Sequence, residues 1–485
     1  MKFRSISKFL TLAATVALFI LPAAASADQK PIQLSIAEAV ETALLQNLGL
    51  KLSREDVVQA EGTVLSAEGA FDYQLFGEIG ATGKDEAPVT SVSSSKENTA
   101  AWNAGIQKLF SPGTELSLNW NNGNLDTDSD LYLFDPVYNS ELVLDLSQPL
   151  LRGFGEDVQY ADLNSARTQL EAASFLVDSS AADLAAQVKQ AYWELVFAHA
   201  NLEVLNLSLE LARRLKDDTE TKINAGKLAS IDLFQPESEV AQREQDLIAG
   251  EQAIGFAEDS LKLLMNSPDW LIPIAPVDEP ETTPINPDLR DVYNEALDNR
   301  PDLKAAELQI KTSQYQLEKA DNNRKPALDL RGSFGIGANA DTYSSALDNS
   351  LSDSDTQWQV GLLFSRPLDN SLAEGQYRQT LSTYRKNQTS LEQLKQEIRR
   401  SVRSTVRDVE LALKAIEATR KTLLATEKRL EAEQVKFDAG RSTTLDVLIA
   451  QQDYAQALSA ENRSKILYAQ SLSELDRIQG KISIP

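Results

Sequence analysis

Lys436-Phe-Asp-Ala-Gly-Arg-Ser-Thr-Thr-Leu-Asp-Val-Leu448 decides the fold, because the chain carries it twice. Its partner is Lys222-Ile-Asn-Ala-Gly-Lys-Leu-Ala-Ser-Ile-Asp-Leu-Phe234. Lys222, Gly226 and Asp232 map onto Lys436, Gly440 and Asp446 at one constant offset of 214 residues. The same offset carries Val188 onto Val402, Lys189 onto Arg403 and Glu194 onto Asp408. A gap-free register over roughly sixty residues marks an internal duplication. In each copy an Asn/Asp-Ala-Gly break is followed by Ser or Thr and then Asp. One helix stops there at a left-handed glycine, and the next starts on a capping side chain. The stretch is the tip of a helical hairpin, and the chain has two.

Outward from each tip the pattern stays helical for a long way. Leu391, Leu394, Ile398, Val402, Val406, Val409, Leu413 and Ile416 recur at steps of three and four. So do Leu184, Val188, Tyr192, Leu195, Leu202, Leu205 and Leu209, with Glu, Lys, Arg and Gln on the opposite faces. This is a heptad-like seam rather than the face of a globular helix. At 1.5 Å per residue, some 65 residues reach roughly 100 Å. The helices returning from the tips are expected through 232–266 and 446–480.

Ahead of each hairpin lies a shorter helical stretch and then β-like sequence. Residues 34–70 open on Ser35 with Glu38 three residues on, the form of a capping box. Their copy is 291–321, where Ala43-Leu44 matches Ala296-Leu297 and Lys51 matches Lys304 at an offset of 253. Against the 214 found downstream, the first repeat holds about 39 extra residues between its opening helix and its long helix. Alternating apolar sets fill this region: Tyr73, Leu75, Ile79; Trp102, Ala104, Ile106; Leu116, Leu118, Trp120; Leu142, Leu144, Leu146. The second repeat has Leu328, Leu330, Phe334, Ile336 and then Trp358, Val360, Leu362, Phe364. Period-two alternation gives each strand one apolar and one polar face. Ten-residue segments separated by polar loops such as 123–139 and 339–355 fit transmembrane barrel strands. An ordinary antiparallel sheet with one buried face fits the alternation too.

Composition narrows the choice. Lys2, Arg4 and Lys8, the apolar run Phe9–Leu21 and Ala25-Ser26-Ala27 form a secretory signal, with cleavage expected near Asp28. The 47 basic residues less those three, set against 72 acidic ones, leave a formal charge of −28. Nucleic acid is not the partner of such a chain. With no cysteine there are no disulfides, thiolate metal sites, cysteine nucleophiles or N-terminal lipid anchors. Beyond the signal no apolar run is long enough for a membrane helix, so contact with a bilayer requires a closed β-barrel. His199, the only histidine, has no partner at metal spacing and reads as a solvated or packed side chain. Neither a phosphate-cradling loop nor a nucleophile elbow is present. No cofactor or catalytic residue is expected.

In this order and duplicated frame, the chain resembles the TolC-like outer-membrane efflux proteins. The carrying residues are Gln148-Pro-Leu-Leu-Arg-Gly-Phe-Gly155, Gln190-Ala-Tyr-Trp193, both tip motifs, and the opening helices Leu34–Leu50 and Val292–Leu303. The likeness spans essentially the whole mature chain. It implies a mainly α fold with transmembrane β: a trimeric outer-membrane β-barrel continued by a periplasmic α-barrel. The implied boundaries are a signal at 1–27 and a first repeat at 28–266, with strands about 72–150 and a hairpin at 156–266. A proline-rich linker follows at 267–290, then a second repeat at 291–485, with strands about 327–366 and a hairpin at 372–480.

The function implied is that of a passive export duct in the outer membrane of a two-membrane bacterium. It would dock to a periplasmic adaptor and an inner-membrane transporter, as part of a tripartite efflux pump or a type I secretion system. Asp446 occupies the family's acidic position at the tunnel end. Ile449 stands where a second acid is common. Family members latch the closed tip with a phenol and an arginine reaching the acid that matches Asp232. Phe437 and Ser442 stand there instead, and the nearest arginine is Arg441. Ala225-Gly226-Lys227 and Ala439-Gly440-Arg441 match the adaptor-docking tips. Asp232 and Asp446 also suit plain first-turn acids at helix N-termini. Two other classes compete with the duct: a periplasmic structural or adaptor-like coiled-coil protein, and an enzyme on a helical stalk. Whether each chain gives four or six strands stays open in the sequence.

Overall fold

Four very long or long helices and one six-stranded sheet dominate the computed structural model. It describes residues 30–481 other than 88, 89, 91–93 and 130; the leader read at 1–27 lies outside the described residues. The first half runs β1 (Ile32–Leu34), α1 (Ile36–Gln46), α2 (Leu48–Glu68), β2 (Gln74–Asp85), β3 (Lys96–Leu109), β4 (Glu115–Thr127), β5 (Val137–Pro149), α3 (Glu156–Gln159), α4 (Ala161–Asn224) and α5 (Phe234–Met265). The second runs β6 (Ile274–Pro276), α6 (Leu289–Asn299), α7 (Pro301–Asn322), β7 (Ala327–Ala340), α8 (Tyr343–Ser352), β8 (Asp355–Ser365), α9 (Ser371–Asp438) and α10 (Thr444–Ile478).

The opening helices differ from the single stretches expected. Each breaks once, at Asn47 and at Arg300. Asn47 leaves the helical region (ψ 130°), and its side-chain oxygen caps Leu50 N at 3.0 Å. Arg300 is likewise extended (ψ 121°) because Pro301 follows it, and a residue before proline is pushed out of the helical well. The capping box on α1 is formed, Ser35 accepting from Glu38 N and Glu38 accepting from Ser35 N.

All six main strands lie in one antiparallel sheet in the order β2-β3-β4-β5-β7-β8. The register puts every alternating set on one face: Ile79 opposite Trp102, Ile106 opposite Leu118, Leu118 opposite Leu144, Leu144 opposite Phe334, and Phe334 opposite Trp358. The other face carries Glu115, Ser117, Asp145, Ser147, Arg331, Ser333 and Gln359 around a polar hollow. The segment 339–355, expected as a loop, contains α8. Its Tyr343 donates to Asn122 Oδ1 (3.3 Å) and lies 5.8 Å from the ring of Trp102, itself edge-on to Trp120 at 4.9 Å.

The helices form two layers. Beside the sheet the lateral order is α2, α4, α7, α9; toward the tips it is α5, α4, α10, α9. The main core, where the layers meet, gathers Val40, Leu184, Val188, Tyr192, Leu195 and Leu261. Val292, Ile398, Val402 and Ile478 form its counterpart under α6. The proline-rich segment is ordered. β6 pairs in parallel with β1, and two buried tyrosines hold the strip down. Tyr192 donates to Asp278 Oδ2 at 2.8 Å, and Tyr468 donates to Thr283 O at 2.7 Å. No described helix is long and apolar enough to cross a membrane.

Candidate functional site

The two tips stand side by side at the end of the molecule farthest from the sheet. Helix α4 ends as Lys227 N reaches Lys222 O (2.8 Å), with Gly226 at φ +72°; α9 ends as Arg441 N reaches Lys436 O (2.8 Å), with Gly440 at φ +69°. A side chain at either glycine would strain the backbone. Ala225, Gly226, Lys227, Ala439, Gly440 and Arg441 are all exposed. Arg441 has no ion pair within the chain among the described residues.

Asp446 is both exposed and structurally engaged. Its Oδ2 accepts from Thr443 N (3.1 Å) and Thr443 Oγ1 (2.6 Å), while Asp446 N donates back to Thr443 Oγ1 (3.2 Å). These bonds, the one from the Thr443 hydroxyl foremost, hold its carboxyl below the usual carboxylate range. Asp446 is nonetheless exposed, so capping leaves its charge open to solvent. Asp232 does the same less completely, accepting from Ala229 N at 3.0 Å in a 3₁₀ turn, Ser230–Leu233. Ser442 donates to Glu433 Oε2 at 2.8 Å.

Phe437 is 2% exposed and packs with Leu215, Val447 and Leu448. The Lys222 ammonium lies 3.3 Å from its ring centroid, donates to its carbonyl at 2.7 Å and sits 3.6 Å from Asp438. A lysine from the first tip therefore clamps the second. Sequence reasoning missed this residue's role, although Lys222 heads the first motif. Its duplicate Lys436 turns outward to Glu433 instead (2.6 Å).

Above the tips, α4 and α10 are joined by polar links. Arg463 grips Glu194 with two bonds of 2.9 and 2.7 Å, and Gln470 donates to the same carboxylate at 2.9 Å. Arg477 reaches Asp183 at 2.9 Å. His199 lies on α4 with a buried Nε2 that finds no partner, and no group of metal-ligating side chains occurs among the described residues.

A family model described as outer membrane efflux protein matches residues 106–267 and 292–481. Among solved structures, the chain is similar to the outer-membrane channel OprN at 17% identity, covering 93% of this chain and 91% of that one with a TM-score of 0.71. It is similar to the outer membrane protein VceC of Vibrio cholerae at 16% identity, covering 92% and 96% with a TM-score of 0.68. The MtrE outer membrane channel of Neisseria gonorrhoeae, solved in its open state, matches at 15% identity over 98% of both chains with a TM-score of 0.62. These structures share the fold of strands continued by long helical hairpins. No curated protein sequence matches.

Proposed function

The chain belongs to the outer membrane efflux protein family, and on that premise we propose that it is the passive outer-membrane duct of a tripartite efflux pump or type I secretion system. Its place is the outer membrane, with the helices extending into the periplasm, and its family is one of transport ducts rather than enzymes. The chain is read as two structural repeats, 28–266 and 291–485, joined by the strip at 267–290. Three copies would assemble around one axis, each supplying its sheet to a barrel and its helices to a tunnel.

The observation that carries this reading is that the chain's lateral edges are unsatisfied at both levels. In the sheet, β2 and β8 are exposed along almost their whole length. In the helical layers, the flanking helices expose apolar side chains: Leu52 and Leu65 on α2, Ile248 and Phe256 on α5, Leu424 and Val435 on α9. Open strand edges do not survive in lipid, and closed cyclic assembly removes them.

At the far end the turns at Ala225-Gly226-Lys227 and Ala439-Gly440-Arg441 are free to meet a periplasmic adaptor, which would bring the inner-membrane transporter. Three Asp446 carboxylates around the axis would form a ring that favours cations. Asp232, Phe437 and Arg441 complete the gate region, with the Lys222–Phe437 clamp in place of the family's latch. Extraction tests the reading directly. The protein should require detergent and sediment with the mass of three chains, whereas a monomer soluble without detergent would overturn the duct.

A further inference from the structure

We propose that each chain gives six strands to the barrel, so that three copies close a ring of eighteen, with β8 of one copy paired to β2 of the next. The inference rests on the trimeric-duct reading and adds how the copies join and how wide the outer channel is.

The 39 residues that lengthen the first repeat make room for a second hairpin, and this hairpin is part of the sheet rather than an appendage to it. The β2–β3 ladder runs unbroken from Gln74↔Gln107 to Asp85↔Lys96. The β3–β4 ladder runs from Glu97↔Thr127 to Leu109↔Glu115, and β4 then pairs with β5 from Glu115↔Ser147 to Leu125↔Val137. The turn joining β3 to β4 is fastened to the strand-to-helix junction at the sheet's base. Gly155 N donates to Pro112 O at 3.3 Å, Ser111 donates to Glu156 at 3.0 Å, and Thr114 donates to Gln148. Gly113, at φ +92°, lets the turn sit against Gly153 and Gln159, where a Cβ would meet Gly153 O at 2.6 Å. The base of this hairpin is thereby fixed in line with β5.

The two faces of the extra strands agree with their neighbours. Trp102 and Ile106 on β3, with Leu118 and Trp120 on β4, join the apolar face of Leu75 and Ile79 on β2 to that of Leu142, Leu144, Phe334 and Trp358. On the reverse, Asn103 and Asn121 join Glu78 to Glu141 and Gly337. Both extra strands are thus patterned for lipid on one side and water on the other.

Polarity completes the argument. Every neighbouring pair is antiparallel and the strand number is even, so β2 and β8 run in opposite directions. Edge-to-edge joining of copies therefore continues one antiparallel ladder. Leu75 (83% exposed), Ile79 (86%), Trp358 (75%) and Val360 (67%) stand bare on these two edges. Barrel diameter grows roughly linearly with strand number, and 16 to 18 strands leave an aqueous channel. An eighteen-stranded mouth is about half as wide again as a twelve-stranded one. The narrow point for a solute then lies at the helical tips and not in the membrane.

The chain has no native cysteine, so engineered pairs report cleanly. Glu78→Cys, on the water-facing side of β2, is combined in turn with Gln357→Cys, Gln359→Cys, Gly361→Cys and Leu363→Cys on the same side of β8. A second series keeps Glu78→Cys and pairs it with Glu141→Cys, Val143→Cys or Asp145→Cys on the same side of β5, which lies three strand spacings from β2 in the six-stranded ladder, beyond the reach of a disulfide. Oxidised in detergent and run without reductant, the β2–β8 series should give covalent trimers in at least one register, and the β2–β5 series no bond within the chain. A β2–β5 bond within the chain would mean that β3 and β4 lie outside a twelve-stranded barrel, and would overturn the proposal while keeping the duct. A native trimer with no bond from either series would overturn the edge pairing. A native monomer would overturn the duct and the barrel together.

Discussion

Lys222 shows how one residue acquires a role that its duplicate lacks. Its ammonium meets the ring, the carbonyl and the neighbouring carboxylate of the second tip at once. A largely desolvated cation–π contact is worth about 1–2 kcal/mol, and the carbonyl bond adds to it. Lys222→Met keeps the apolar stem and removes all three links. The expected outcome is faster hydrogen exchange at residues 437–441, by about tenfold for each 1.4 kcal/mol lost, with exchange in α1 unchanged. Unaltered exchange at the second tip would mean that the clamp carries no weight. The capping glycines, Thr443 and Asp446 were legible in the motif because caps are local. The clamp was not, since Lys222 and Phe437 lie 215 residues apart, and only the packing of α4 against α10 brings the two tips together.

Helix α4 is the element on which both layers depend, for it packs against α2 and α7 on one side of the core and α5 and α10 on the other. Its charged links titrate in a definite sense. Burial raises the carboxyl of Glu194, but the bonds from Arg463 and Gln470 outweigh it and hold the group below its ordinary range. A carboxyl depressed in the folded state contributes stability that is full above the unfolded pKa and disappears as pH falls through the folded one. Melting of the wild type should therefore drop more between about pH 5.5 and about pH 3 than that of Glu194→Gln, which has lost the term already. Equal drops would show that Glu194 does not contribute. The long helices α4, α5, α9 and α10 were legible as helices because long seams average out local noise, whereas the short break at Tyr160 between α3 and α4 was not. The breaks at Asn47 and Arg300 were hidden because a single non-helical residue barely disturbs a period of 3.6. Helix α8 was hidden for another reason: its Ser-, Asp- and Asn-rich sequence reads as loop, and Tyr343 against Trp102 and Asn122 anchors it.

At the scale of the whole molecule the sheet and the helices leave the same kind of surface unsatisfied. Alternation located six candidate strands and gave each an apolar face, but not their order or that the faces coincide, because ladder pairing is a long-range choice that no strand records by itself. The helical layers end in exposed apolar stripes and the sheet in bare strands, and the proposed ring would cover both. Single-channel recording in planar bilayers tests this most directly, comparing wild-type protein with Asp446→Asn. The ring predicts discrete, trimer-sized pores with a preference for cations that falls in the variant, as three carboxylates leave the narrow end. Protein that forms no pores, and stays in solution without detergent, would contradict it.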